Sequence, residues 1–303
     1  PHLRAAAYGF RHFEADPLSI KSFIFAKELN RMKRYPIVSL PDDEPYRYWK
    51  LYPDTIVIHY GEALDTFLLL GKEKALLIDT AYGRGDFPNL VEELREGREL
   101  MVVNTHGHFD HTGGNFWYPA VYMHPNAKAY ARKSFAPLDE SWIQNMPYPD
   151  YQMLDVNDGY VFQLGDRDIE VLYTPAHCDS SLTFLDHGRR LLFCGDEFDA
   201  GQANMFSEAA VPAFLHNMLR LKQRESEYDF IMPNHNGCPI CKDYLDDFIT
   251  AAQHVVDGKP DIVSREGLPT YKLGLAALNQ IRRVQVGQSC INYPVLDAPL
   301  NVD

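Results

Sequence analysis

The sequence predicts an α/β fold in which sheets carry helices on their outer faces. Three observations predict it. Short apolar, β-rich runs crowd residues 54–80, strand-like and helix-like segments alternate from 87 to 257, and four apolar runs lead into a histidine or an aspartate. Hairpin-like runs at the start fit such a packing better than one doubly wound parallel sheet.

The elements follow in chain order. LSIKSFIFAKELNRMKR (18–34) sets Leu18, Phe23, Phe25, Leu29 and Met32 among charges, and Asp16-Pro17 offers a cap and a first position, so a helix is expected there. Residues 1–50 are read as a helical extension packed on a core spanning 51–303. That core opens with DTIVIHYG (54–61), DTFLLLG (65–71) and KALLIDT (74–80), three strands parted by glycine or charged turns. FPNLVEELREGR (87–98) has amphipathic helical spacing, and LMVVNTH (100–106) is a buried strand running into a histidine-rich loop. Further strands are expected at 121–124, 160–164, 169–175, 181–186, 190–196 and 229–235, and helices at 125–133, 207–224 and 242–257. RRVQVGQSCINYP (282–294) is strand-like, and the irregular stretch 135–151, with Trp142, Tyr148 and Tyr151, is a candidate pocket wall.

Composition narrows the function. Hydrophobic residues make up 46% and charged residues 23% of 303, enough to bury a substantial core. A formal net charge of −13 argues against a nucleic-acid partner, because polyanion binding needs a cationic surface. No run reaches the roughly 18–20 apolar residues that span a bilayer, so no membrane partner is expected. Five cysteines form no dense disulfide framework, and the Cys238-Cys241 pair has no second pair beside it, which suits a cytoplasmic protein. A small-molecule substrate is the expected partner, and a homodimer is the default assembly.

The chemistry is concentrated in Thr105-His106-Gly107-His108-Phe109-Asp110-His111, followed by Thr112-Gly113-Gly114. Imidazole nitrogen and carboxylate oxygen are the donors divalent zinc accepts. Gly107 is read as allowing a tight bend, and Gly113-Gly114 a close turn. Four clustered donors exceed what one catalytic ion needs, and His177, Asp196 and His235, each after an apolar run, supply the rest of a larger set.

This run, with His177, Asp196 and His235 in that order, closely resembles the metallo-β-lactamase-fold hydrolases over roughly residues 52–257, in their glyoxalase II and lactonase-like branch. The resemblance implies a four-layer αβ/βα sandwich, the metallo-β-lactamase fold, with two metal ions at one edge. It implies that His106, His108 and His177 bind one ion, that Asp110, His111 and His235 bind the other, and that Asp196 bridges them. Asp79, in LLIDTAYG, matches the family's buried aspartate, which supports the ligand loop; Thr80 and ligand-loop amides are its expected partners. Two departures bear on substrate. Ala176-His177-Cys178-Asp179-Ser180-Ser181 replaces the Gly-His-Thr pattern of glyoxalase II, which argues against a glutathione thioester. Asp196 stands where class B β-lactamases usually carry cysteine or another residue, which argues against β-lactams.

The expected activity is hydrolysis of a small ester, lactone or thioester by a hydroxide bridging two divalent ions, most simply zinc, with iron or manganese as alternatives. Such ions, about 3.5–4 Å apart, lower the pKa of bound water from about 15.7 towards 7. Asp110 is placed to steer that water or its proton. The competing readings are an iron-dependent sulfur or oxygen enzyme of the same fold and a phosphodiesterase.

Overall fold

A computed structural model of the chain describes residues 38–39, 46–61, 64–83, 85–133, 151–259 and 281–294. The helix expected at 18–34 and the stretch 135–150 with Trp142 and Tyr148 lie outside these residues.

Two large sheets form the body. The first runs, in spatial order, β1 (Val38–Ser39), β2 (Tyr46–Tyr52), β3 (Thr55–Tyr60), β4 (Leu64–Leu70), β5 (Lys74–Ile78), β6 (Glu99–Val103), β7 (Ala120–Met123) and β8 (Gln152–Asp155). Its first five strands pair antiparallel and its last four parallel. In the second sheet, β9 (Val161–Gln163), β10 (Asp168–Tyr173), β11 (Leu182–Asp186) and β12 (Leu191–Gly195) are antiparallel neighbours. Past β13 (Gln202–Asn204), β14 (Phe230–Pro233) joins β12 in parallel and carries β15 (Ile240–Cys241) at its edge. A third, small sheet joins β13 to the C-terminal hairpin β16 (Ile281–Val286) and β17 (Ser289–Pro294).

The layering follows from strand alternation. Ile56, Ile58, Leu68 and Leu77 face α1 (Phe87–Leu94) and α3 (Ala127–Lys133), while Val57, Phe67, Leu69 and Leu76 meet Phe184, Phe193 and Met232 of the second sheet. On that sheet's far side, Leu185, Leu192 and Ile231 pack on α4 (Val211–Gln223) and α5 (Tyr244–Val256). The result is the expected four layers, helix, sheet, sheet, helix. Both faces of the central strands are covered, which is why β4, β11 and β12 are mostly apolar and buried at every position.

Several boundaries differ from expectation. β2 (YRYWKLY) straddles residue 51, where the core was read as beginning. The helix expected over 87–98 ends at Leu94, because Glu96 and Gly97 turn to φ of +54° and +78°. The segment 207–224 splits into a short 3₁₀ turn, Glu208–Ala210, and α4. Among the described residues no helix is long and apolar enough to cross a membrane.

Candidate metal centre

β10, β12 and β14 run in the same direction, since two antiparallel steps through β11 restore it and β14 is parallel to β12. His177, Asp196 and His235 lie just past their C-terminal ends and so share one edge of the second sheet. The ligand loop after β6 is tied to that edge by Leu182 N–H, which donates to Thr105 O at 2.7 Å. Within the loop a single helical turn, α2 (Phe109–Thr112), carries Asp110 and His111.

All seven residues singled out in the sequence converge there, in two groups that could each hold a metal ion. In one, His108 Nδ1 lies 2.9 Å from His106 Nε2 and 3.1 Å from His177 Nε2. Nitrogens around one tetrahedral zinc at about 2.0–2.1 Å stand about 3.3 Å apart, so these atoms have the spacing of donors to a single small cation. In the other, His235 Nε2 is 3.4 Å from Asp110 Oδ2 and 3.3 Å from Asp196 Oδ2, and His111 Nε2 is 3.3 Å from Asp196 Oδ1. Asp196 faces both groups: its Oδ2 also lies 4.0 Å from His106 Nε2 and 3.8 Å from His177 Nε2. His111 Nε2 and Asp196 Oδ1 are buried with no hydrogen-bond partner among the described residues. Buried polar atoms normally find partners, and a cation between these two satisfies both. The donor set therefore fits divalent metal.

The outward nitrogens are fixed as metal-binding imidazoles require. With Nε2 facing the centre, His106 Nδ1–H donates to Thr105 Oγ1 at 3.0 Å, His111 Nδ1–H to Asp79 Oδ2 at 2.9 Å, and His177 Nδ1–H to Asn204 O at 2.8 Å. His108 is turned the other way, and its Nε2–H donates to Cys178 Sγ at 3.3 Å. Burial pushes the Cys178 thiol well up, so it accepts as neutral sulfur.

Asp79 is the hub. Fully buried, it accepts Thr105 N–H at 2.8 Å on Oδ1, and on Oδ2 Thr105 Oγ1–H and Asn234 Nδ2–H, both at 2.8 Å, besides His111. One carboxylate thus ties down His111, the Thr105-His106 step and the residue before His235. The hydroxyl partner is Thr105, not Thr80 as expected; the single Thr80 hydroxyl proton is instead shared between Asn115 Oδ1 and His111 O. The glycines lie at the expected bend and turn, for a different reason. Gly107 and Gly113 do not adopt positive φ, and Gly113 is plain helical at −58°, −30°. A Cβ on Gly107 would sit 2.6 Å from Tyr130 Cβ, and one on Gly113 2.7 Å from the Tyr82 backbone. The chain does bend at Gly107 and turn at Gly113-Gly114 as expected, but close packing of neighbouring segments is what requires glycine there.

Burial sets His106 and His177 low and brings His108 down to about 4, leaving three neutral imidazoles with lone pairs free for a cation. Burial would lower His111 and His235 too, but Asp196 and Asp110 outweigh it and raise both well above the ordinary range. Metal entering that group must displace protons. Asp199, buried beneath the site, accepts from Asn236 Nδ2 at 2.6 Å and Gln202 Nε2 at 3.2 Å, yet burial lifts it to about 7. Its folded value exceeds the ordinary 3.8, so its contribution is complete below about pH 4 and is lost as pH rises through about 7. In chelated protein, Asp199→Asn is therefore expected to gain stability relative to the parent between pH 4 and 8. Parallel denaturant curves across that range would show the assignment to be wrong.

Aromatic rings wall the first group. Phe206 lies edge-on to His108 at 5.5 Å and to His177 at 5.2 Å, and the exposed Tyr130 stands 6.5 Å from His108. Sequence reasoning missed Thr105, Asn204, Asn234, Phe206 and Tyr130. Position beside a ligand could have flagged Thr105 and Asn234; the others are brought in only by folding.

The family model of the Metallo-beta-lactamase superfamily matches residues 61–235, more than half of the chain, and the chain belongs to that superfamily. Over 163 residues it is 31% identical to the acyl-coenzyme A thioesterase MBLAC2 of Homo sapiens, covering 45% of this chain and 58% of that protein. Over 147 residues it is 34% identical to the hydroxyacylglutathione hydrolase of Francisella tularensis subsp. novicida, covering 48% and 51%. The matched part thus spans between half and three fifths of these relatives. A metallo-beta-lactamase structure from Erythrobacter litoralis superposes with a TM-score of 0.55 at 15% identity, covering 72% of this chain and 100% of that one, a likeness of fold alone.

Proposed function

We propose that the chain is a binuclear metal-dependent hydrolase of a small ester, lactone or thioester, with thioesters the foremost class and zinc the resident ion. The observation that carries this reading is Asp196, whose one carboxylate stands between three imidazoles and the Asp110, His111, His235 group. In this reading His106, His108 and His177 hold one ion, Asp110, His111 and His235 the other, Asp196 both, and Asp79 supports the ligand loop. The nitrogen and oxygen donors suit zinc, and iron or manganese accept them too. Bound divalent ions supply Lewis acidity at an acyl oxygen and acidify water. The protein's own groups orient the reaction: Asp110, whose side chain is 27% exposed, sits at the rim where it can align water and take its proton. Phe206 and Tyr130 offer apolar surface to an acyl group beside His108. The names of the relatives favour thioesters, since one is an acyl-coenzyme A thioesterase and the other hydrolyses an acylglutathione. Five free thiols suit a reducing cytoplasm.

The test is a panel of lactones, thioesters and phosphodiesters assayed on chelated and zinc-reloaded protein. Acyl-substrate turnover that chelator abolishes and zinc restores is expected. Turnover of phosphodiesters only, or iron-dependent oxygen uptake with a sulfur substrate, would replace the reading. Phe206→Ala is expected to cut kcat/KM for a longer acyl chain by about 10-fold, the loss of one to two buried methylene contacts at about 0.8 kcal/mol each, and to spare an acetyl substrate. Equal losses for both would remove Phe206 from the acyl site.

A further inference from the structure

His106 and His108 share one loop, whereas His177 reaches their group from a separate segment and needs a support of its own. Two contacts provide it. The backbone N–H of His177 donates to Glu197 Oε2 at 3.1 Å, and its ring Nδ1–H donates to Asn204 O at 2.8 Å. Both acceptors are anchored from elsewhere. Glu197 is buried and receives Asn217 Nδ2 of α4 at 2.8 Å. Asn204 ends β13, which pairs in parallel with β17 of the C-terminal hairpin. There Asn292 Nδ2 donates to Asn204 Oδ1 at 2.9 Å, and Asn292 O accepts Met205 N–H at 2.9 Å. The hairpin lies beyond residue 235, where the family match ends, so this half of the support is not part of the matched region.

We propose that Glu197 and Asn292 are positioning residues for the ion of the three-imidazole group, so that α4 and the C-terminal hairpin together govern its occupancy. The inference rests on the binuclear reading above. An imidazole binds metal well only when its other nitrogen and its backbone are held, because the inward lone pair must point at the ion without a search through rotamers and tautomers. Here the ring is held by a carbonyl whose own strand is fixed by β17, and the backbone by a carboxylate fixed by α4. Loosening either support moves His177 Nε2 while leaving Asp110, His111 and His235 in place.

The experiment titrates the chelated 303-residue chain with Zn²⁺ against a competing chelator, comparing the parent with E197A, E197Q, N292A, H177A and the double variant H177A/N292A. Melting of each chelated protein is followed alongside. E197A is expected to weaken one of two ions by about 10–100-fold, the usual cost of losing an outer partner of a ligand, N292A, which acts one contact further out through Asn204, to weaken the same ion by less, and both to leave the other within about twofold. E197Q, whose amide oxygen still accepts from the His177 N–H while Asn217 can flip its own amide to offer Oδ1 to the new NH2, is expected to recover most of the affinity. N292A is expected to add nothing in the H177A background, because the ion it affects is already lost. Variants that only lower the melting temperature, weaken both ions alike, or show E197Q as poor as E197A would overturn the proposal; if E197A does not fold, N292A and the double variant decide alone. A parent chain that binds fewer than two ions would sink the binuclear reading and this inference with it. Two ions in the parent with no selective loss would sink this inference only.

Discussion

Asp196→Asn is expected to lose both ions together and to reduce kcat/KM by about 10³-fold or more, since Lewis-acid stabilisation worth several kcal/mol is withdrawn. The substitution keeps the volume of the side chain but removes its charge and one of two acceptor oxygens. Those oxygens serve different neighbours. Oδ1 faces His111 at 3.3 Å, while Oδ2 faces His235 at 3.3 Å and His177 at 3.8 Å. Among the described residues no other carboxylate pairs with both groups, since the ion pairs of Asp110 there are with His111 and His235. His177→Ala, by contrast, should lose one ion. Elemental analysis after dialysis separates the two outcomes, and D196N retaining one ion at parental affinity would confine Asp196 to a single group.

Asp79→Asn is expected to have the second largest effect, although Asp79 lies behind the donors. Four donors converge on its carboxylate: Thr105 N–H, Thr105 Oγ1–H, His111 Nδ1–H and Asn234 Nδ2–H. An amide presents a donor to at least one of these, leaving buried groups unpaired at about 1–3 kcal/mol each. The backbone at Asp79 has φ of +65°, which asparagine adopts at lower cost than alanine. D79N therefore isolates the hydrogen bonding, whereas D79A adds strain. The expected outcome is a melting temperature lower by about 5–10 °C, with metal affinity reduced by about 10–100-fold. A thermal shift without change in metal affinity would mean that the hub holds the fold but not the donors.

What the sequence made legible was set by where side-chain chemistry is concentrated. Three histidines and an aspartate within six positions announce themselves, and so do strands buried on both faces, such as LTFLD and LLFCG. β2 escaped because YRYWKLY mixes aromatic and cationic residues and is buried at only two of its seven positions. β13 and β15 are too short for any period to register. The supports of the donors were less visible still. Asn204 acts through its backbone carbonyl, which no residue type encodes, and Cys178 offers a sulfur in place of the usual carboxylate. Threonine at 80 and threonine at 105 are equally plausible partners for Asp79 in one dimension; the parallel pairing of β5 with β6 brings the second alongside. Glycine was recognised as necessary in the ligand loop, but the reason, the helix bearing Tyr130 pressed against Gly107, is a tertiary contact.

A carboxylate shared by two adjoining donor groups gives each chain room for two ions. Counting zinc equivalents per chain, by elemental analysis of protein stripped with chelator and reloaded under excess-free conditions, tests it most directly. Two equivalents, both retained through dialysis, are expected. One equivalent, or none, would contradict it.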